Sequence, residues 1–143
     1  MLTYLSRIAL VIGFASQYAI GPMQTNIRIR QARPSRTSYD LPIDLPDVDG
    51  YVASQDCDDI GSTVWLRPHG AQSFESFLVA DCASKTSGSP HPGESSYVWM
   101  VRNNILYEID GHTARRWNTV GRLIEIERRV IRTSTHRKEY NAS

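Results

Sequence analysis

The fold is decided by two short stretches, FLVADC at residues 77–82 and LYEID at residues 106–110. Both run apolar residues toward an aspartate, Asp81 in the first and Asp110 in the second, and both are followed by residues that cannot continue a strand. We therefore expect two buried strands that each end in a carboxylate. Such a carboxylate is held rigidly while its oxygens reach a cleft, which is the placement that acid/base chemistry needs.

Length and composition predict one modest soluble domain. The chain has 143 residues, of which 41% are hydrophobic, and this content is enough for a single core. The net charge is +1, with 22% charged residues. Because phosphate neutralisation requires a concentrated basic surface, this balance argues against a nucleic-acid partner.

Residues 1–21 have the pattern of an export signal. One cation and no acid precede an uninterrupted apolar stretch at residues 8–15, and small residues such as Ala15 and Ala19 offer a cleavage site. The stretch is shorter than the about 20 apolar residues that a transmembrane helix needs, and Gln17 interrupts it. We therefore expect a secreted or extracytoplasmic protein. The alternatives are an uncleaved anchor, which is the one membrane contact we expect, and a helix of the core.

The two cysteines, Cys57 and Cys82, agree with export. An even number of cysteines in an exported chain predicts one disulfide, with two buried thiols or a catalytic thiol as alternatives. The histidines show no metal-ligand spacing, so we expect no metal site and no cofactor. The four histidines are His69, His91, His112 and His136.

The rest of the chain divides into a proline-rich linker, a domain and a basic tail. Residues 22–49 carry four prolines, which predicts a linker that is extended or disordered rather than helical. Residues 50–130 form the predicted domain, and residues 131–143 a frayed basic tail. The Gly- and Pro-containing stretch at residues 85–94 is predicted to be an insertion or a mobile lid.

Five segments inside the domain are rich in β-branched or aromatic residues and have the length of strands. They are residues 50–54, 63–67, 76–80, 105–109 and 123–128. Two short helices are predicted between them, one at residues 95–103 with Tyr97, Val98 and Val101 facing inward, and one at residues 112–118. The strand spacing predicts a mainly all-β fold, a small barrel.

The order of these motifs is informative. The relevant stretches are GYVA at 50–53, IGSTVWL at 60–66, FLVAD at 77–81, EID at 108–110 and VGRLIEI at 120–126. This order resembles the secreted double-psi β-barrel superfamily of RlpA-like, expansin-like and three-aspartate (3D) lytic transglycosylase domains, and it is similar to uncharacterised exported bacterial members. The resemblance covers about residues 50–128 and implies a six-stranded double-psi β-barrel with one or two short helices.

The resemblance also implies a ligand, a polysaccharide or peptidoglycan bound in a surface groove. In the lytic transglycosylases of this fold an aspartate is the general acid/base that cleaves a glycosidic bond, so Asp110 becomes the candidate catalytic residue and Asp81 its partner. Two nearby carboxylates push their pKa values apart, which leaves one protonated to donate to the leaving oxygen. Polysaccharide binding is the main expectation. Peptidoglycan cleavage and a structural or protein-interaction barrel are the alternatives.

The candidate ligand-binding residues are side chains able to contact a sugar: Trp65, Trp99, His112 and Trp117. Tryptophan can stack on sugar rings through its apolar face, although packing in a core is the alternative. His112 lies near Asp110 and can relay protons, or it faces solvent. The two aspartates also have a purely structural interpretation, because Asp commonly caps turns and Asp110 precedes a predicted helix.

Overall fold

Six strands in one sheet and three helices make up the computed structural model, which describes residues 4–18, 22–33 and 39–135. The elements are β1 Tyr4–Gln17, α1 Pro22–Ala32, β2 Gly50–Ser54, β3 Thr63–Pro68, β4 Glu75–Cys82, α2 Ser96–Arg102, β5 Ile105–Ile109, α3 Gly111–Arg116 and β6 Ile124–Thr135. A 3-10 turn, Cys57–Asp59, separates β2 from β3. The fold is therefore mainly β, as the strand patterns predicted.

The sheet closes on itself. The strand order is β1-β5-β2-β4-β3-β6, and β6 pairs with β1, so each strand has two paired neighbours. Two pairs are parallel, β1 with β5 and β2 with β4, and each contains a register shift. The other four pairs are antiparallel.

The topology has an internal twofold symmetry. If β1, β2 and β3 are exchanged with β4, β5 and β6 in that order, every pair of neighbouring strands becomes a pair that is also present in the sheet. The two parallel pairs exchange with each other under this operation. Each half also reads strand, helix, strand, short helix or 3-10 turn, strand. The chain is thus two copies of one supersecondary unit, interlocked in a single sheet.

Apolar residues pack on both faces of the sheet. Inside the closed sheet, Phe77, Val79, Leu66 and Ile126 are fully buried in the main core. On the outer face of β2 and β4, a second cluster holds Ala53, Leu78 and Ala80 under Met23 and Ile27 of α1. A third cluster joins α2 to β5 through Met100 and Ile105. Because each face is covered, β4 can be apolar on both sides, as its sequence indicated.

Residues 4–17 belong to the sheet. The apolar stretch interpreted as an export signal lies in β1, which pairs with β6 from Tyr4 to Ala15 and with β5 from Phe14 onward. Cleavage near Ala15 would remove most of this strand, so a cleaved signal at residues 1–21 is a prediction that the fold does not support. The alternative cleavage position, Ala19, lies outside the described residues.

The prediction that the segment after residue 22 is not helical is wrong, because Pro22–Ala32 is the helix α1. Proline is well tolerated at the first position of a helix, and no further proline occurs before Pro34. Met23, Asn26, Ile27 and Arg30 then form the buried face of the helix. None of the helices in the described part of the chain is long and apolar enough to cross a membrane.

The shorter elements largely follow the sequence. β2 and β5 have the predicted bounds, and β3 and β4 are slightly longer. Strand β6 runs to Thr135, so the prediction of a frayed tail from residue 131 is wrong up to that residue. Residues 136–143 lie outside the described part. The one or two short helices that the sequence indicated are α2 and α3, and α1 is a third helix in the segment that was predicted to be a linker.

The helix α2 lies where it was predicted, and of its three residues predicted to face inward only Tyr97 packs against a buried cluster. It begins after Ser95, whose side chain accepts a hydrogen bond from the backbone N–H of Val98. Val98 and Val101 are 47% and 49% exposed, whereas Met100 is fully buried. The helix has only seven residues, so its orientation is set by packing against β5 rather than by its own apolar pattern.

Candidate functional site

A cavity of about 640 Å³ opens on the outer face of the sheet, where β4 ends. Its lining includes two carboxylic acids, two tyrosines, one lysine and the disulfide. These residues are Asp81, Glu108, Tyr18, Tyr39, Lys85, Cys57 and Cys82. A cavity of this size with convergent polar groups is the usual form of a small-ligand site.

Strand register places the two acids on one row of the sheet. Ala53 of β2 is the Cα partner of Asp81 on one side and of Glu108 on the other. Glu108 is in turn the partner of Ser16 on β1. Neighbours of Glu108 in its own strand point into the main core, so the Glu108 side chain points to the outer face. Asp81 and Glu108 therefore flank the small side chain of Ala53 on neighbouring strands.

Asp81 is a buried carboxylate with several donors around it. Asp81 is 3% exposed, and its Oδ1 accepts a hydrogen bond of 2.8 Å from the backbone N–H of Cys82. The Tyr18 hydroxyl donates to Oδ2, and Tyr39 also hydrogen-bonds to this side chain. A buried charged acceptor needs several hydrogen-bond donors, and the Asp81 side chain has them. Asp81 can therefore remain in the cavity as a fixed carboxylate.

Burial and the contacts with Asp81 raise the pKa values of Tyr18 and Tyr39. Burial raises the pKa of Tyr18 well above its usual range, and the hydrogen bond to Asp81 and its negative charge raise it further. The pKa of Tyr39 is raised by burial and by Asp81. The backbone N–H of Met23, in the first turn of α1, hydrogen-bonds to the Tyr18 hydroxyl. Tyr18 thus links α1 to Asp81 and keeps its phenol proton at all physiological pH values.

Glu108 is the group in the cavity that can change its protonation near neutral pH. Burial raises the pKa of Glu108 to about 7, and the negative charge of Asp81 contributes to the same direction. At neutral or lower pH much of Glu108 therefore carries a proton beside the Asp81 carboxylate. A buried acid with a raised pKa beside a second carboxyl group is an arrangement used for acid/base catalysis.

The predicted disulfide is present and borders the cavity. Cys57 and Cys82 are joined with their Cα atoms 4.9 Å apart, which links the 3-10 turn to the end of β4. Cys82 directly follows Asp81, so the bond restrains the backbone that holds the carboxylate. A disulfide suggests an oxidising, extracytoplasmic location.

Asp110 lies elsewhere and is engaged in local structure. It is the N-cap of α3: its Oδ1 accepts from the backbone N–H of Thr113 at 2.8 Å. Its Oδ2 accepts from the Thr113 hydroxyl at 3.0 Å and from the backbone N–H of Tyr51 at 2.7 Å. Asp110 borders a second cavity, of about 270 Å³, next to α1. The structure therefore does not bring Asp81 and Asp110 into one cavity, and the capping role that the sequence allowed for Asp110 is the one its contacts describe.

The predicted ligand-binding residues are dispersed and lie outside the lining of the larger cavity. Trp65 is 39% exposed, with the guanidinium of Arg129 4.8 Å from its ring centroid. Trp99 packs beside the third apolar cluster. Trp117 donates from Nε1 to Glu75 at 2.5 Å and packs against the main core. His112 is exposed and borders the second cavity.

The segment predicted to be a lid does border the larger cavity. Lys85 and Gly88 are part of its lining. The backbone N–H of Ser96 donates to Ser87 at 2.9 Å, and Glu94 pairs with Arg102 at 3.0 Å, so both ends of the segment are attached to α2. The described residues hold no group of three metal-ligating side chains.

Sequence reasoning missed Glu108, Tyr18 and Tyr39. For Glu108 a usable pattern exists, because the alternation in ILYEI places it on the face opposite Tyr107 and Ile109. Tyr18 lies in the segment with the pattern of an export signal, and Tyr39 lies in the segment predicted to be a linker. A comparison with family models, with the curated proteins and with the solved structures found no match to this chain.

Proposed function

We propose that this protein binds a cell-wall or other polysaccharide in the cavity at Asp81 and cleaves it, with Glu108 as the proton donor. The observation that carries this proposal is the placement of Glu108 and Asp81 on either side of Ala53, at the edge of an open cavity. A neutral carboxylic acid beside a fixed carboxylate can act on an acetal bond.

The division of roles follows from the surroundings of each acid. Glu108, with its pKa raised to about 7, gives its proton to the leaving glycosidic oxygen. Asp81, held by Tyr18 and by the backbone of Cys82, stays negative and stabilises the positive charge that develops on the sugar. This assignment places the acid two residues before Asp110, the residue that the family resemblance implied.

We also propose that the closed sheet is a double-psi β-barrel. Two features support this assignment: the two parallel strand pairs, and the twofold relation between residues 4–68 and 75–135. An exported location agrees with the disulfide. The resemblance to wall-active domains then favours peptidoglycan as the first substrate to test.

Binding without cleavage is the second candidate function. It is favoured by the hydroxyl groups in the lining, those of Tyr39, Ser84 and Ser96, which suit the hydroxyls of a sugar. A binding module predicts retention on insoluble glycan with no release of soluble fragments.

The test is the release of soluble saccharides from peptidoglycan and from a panel of polysaccharides, measured from pH 4 to 9 with the oxidised protein. We expect Glu108→Gln and Asp81→Asn to lose at least about 100-fold in rate. Glu125→Gln, a matched change at an exposed carboxylate, should keep the activity, and so should folded Asp110→Asn. Binding without release by the wild type would leave only the second candidate. Absence of both, or loss of activity in Asp110→Asn with retention in Glu108→Gln, would refute the proposal.

A further inference from the structure

Ser16 has a buried hydroxyl without a hydrogen-bond partner. Among the side chains that the structure describes, its Oγ is one of four buried polar atoms for which no partner is found. A buried hydroxyl in this state costs free energy, so such groups are unusual and require an explanation. The location of Ser16 supplies one.

Ser16 continues the row of residues that carries the two acids. It is the Cα partner of Glu108 in the parallel pair of β1 and β5. Ala15 and Tyr107, the pair just before, both point into the main core, so Ser16 and Glu108 share the outer face. Neighbouring strands lie about 4.8 Å apart, which puts a serine hydroxyl within reach of the side chain beside it.

We propose that Ser16 is a positioning residue that holds the Glu108 carboxylate after it has given up its proton. This inference rests on the proposed function for the direction of proton transfer. The O–H bond of the Glu108 carboxylic acid breaks and its proton goes to the leaving oxygen of the glycan. The bond between that oxygen and the anomeric carbon breaks, and the oxygen of a water molecule bonds to the carbon. The carboxylate that remains accepts a hydrogen bond from the Ser16 hydroxyl, until Glu108 regains a proton from water.

The charges around Glu108 make such a donor useful. The other titratable groups that line the cavity are Tyr18, Tyr39, Asp81 and Lys85. Tyr18 and Tyr39 already hydrogen-bond to Asp81, and Asp81 repels a second negative charge. Ser16 is the neighbour on the opposite side of Glu108 from Asp81, so its hydroxyl attracts the new carboxylate away from the first one.

The experiment is a titration of the Glu108 side chain by carbon-13 NMR in the full chain without any glycan. Ser16→Ala should raise the pKa of Glu108 by about 1, because a donor to the charged form is lost. Ser73→Ala, an exposed serine, is the control and should leave the titration unchanged. Ser16→Thr and Ser16→Val have nearly the same shape, and only the threonine variant, which keeps a hydroxyl, should titrate as the wild type does.

The outcomes separate this inference from the proposed function. An unchanged or lowered pKa of Glu108 in Ser16→Ala, or equal titrations of the threonine and valine variants, would overturn the role of Ser16. If the serine effect is found but the wild type releases no saccharide, the contact stands and the glycan-cleaving function fails. If both hold, Ser16→Ala should also move the pH profile of saccharide release upward by about the same amount.

Discussion

Replacing Glu108 by glutamine should change how the stability of the protein depends on pH. Glu108 is a buried acid beside Asp81, with its pKa raised from 4.5 to about 7. In the unfolded chain the same group ionises near its ordinary value. Between these two pH values the folded state holds a proton that the unfolded state has released, so unfolding becomes easier as the pH rises.

The size of the effect follows from the shift in pKa. One unit corresponds to about 1.36 kcal/mol, so the wild type should lose up to roughly 3 kcal/mol of unfolding free energy between pH 4.5 and pH 8. The Glu108→Gln variant has no proton to lose at this position and avoids that loss. Relative to wild type, it should therefore gain roughly this amount over the same pH interval. The other titrating groups are common to both proteins and cancel in the comparison.

Urea unfolding of the two oxidised proteins at half-unit steps from pH 4.5 to 8.5 measures this difference. Asp44→Asn, the same kind of change at an exposed carboxylate, is the control and should differ from wild type by a constant amount. A difference between wild type and Glu108→Gln that stays constant to within about 0.5 kcal/mol over the whole range would refute the reasoning. Glu108 would then titrate normally, and the proposed acid would have lost its physical basis.

Two further predictions concern the frame around the site. Replacing Cys57 and Cys82 together by alanine should lower the unfolding free energy by about 3 kcal/mol, because the disulfide links residues 25 apart in the chain. Urea unfolding measures this difference, and equal stability of the two proteins would show that the disulfide does not stabilise the fold. Gly50→Ala should cost about 1–3 kcal/mol, since its Cβ would lie 2.5 Å from the Thr113 hydroxyl and 2.7 Å from Asp110. Gly111→Ala, where the nearest atom is 3.6 Å away, is the matched control and should be neutral or stabilising.

The sequence predicts those strands whose apolar pattern and bounding turn residues lie within a few positions of each other. GYVAS and ILYEI are strands at their predicted bounds because apolar residues alternate or run continuously and turn residues follow. The disulfide was also predictable, because a pair of cysteines leaves one pairing.

Other features depend on partners that are distant in sequence. The apolar stretch of β1 has the same local pattern as an export signal, and only its pairing with β6, more than 100 residues later, makes it a strand. Asp110 and Glu108 are two residues apart and share one strand end, so the sequence could not tell which of them meets Asp81. That choice depends on the register of β2 between its two neighbours.

The internal symmetry explains why the site lies where it does. The pairing of Ala53 with Glu108 joins β2 to β5, the two strands that exchange with each other under the twofold operation. The row of Ser16, Glu108, Ala53 and Asp81 crosses β1, β5, β2 and β4, and the twofold operation reverses the order of these four strands. The strand of Ala53 is the counterpart of the strand of Glu108, and the strand of Ser16 is the counterpart of the strand of Asp81. The first half of the fold thus supplies the two small residues and the second half supplies the two acids, and the small residues leave the space in which the two acids can meet a ligand.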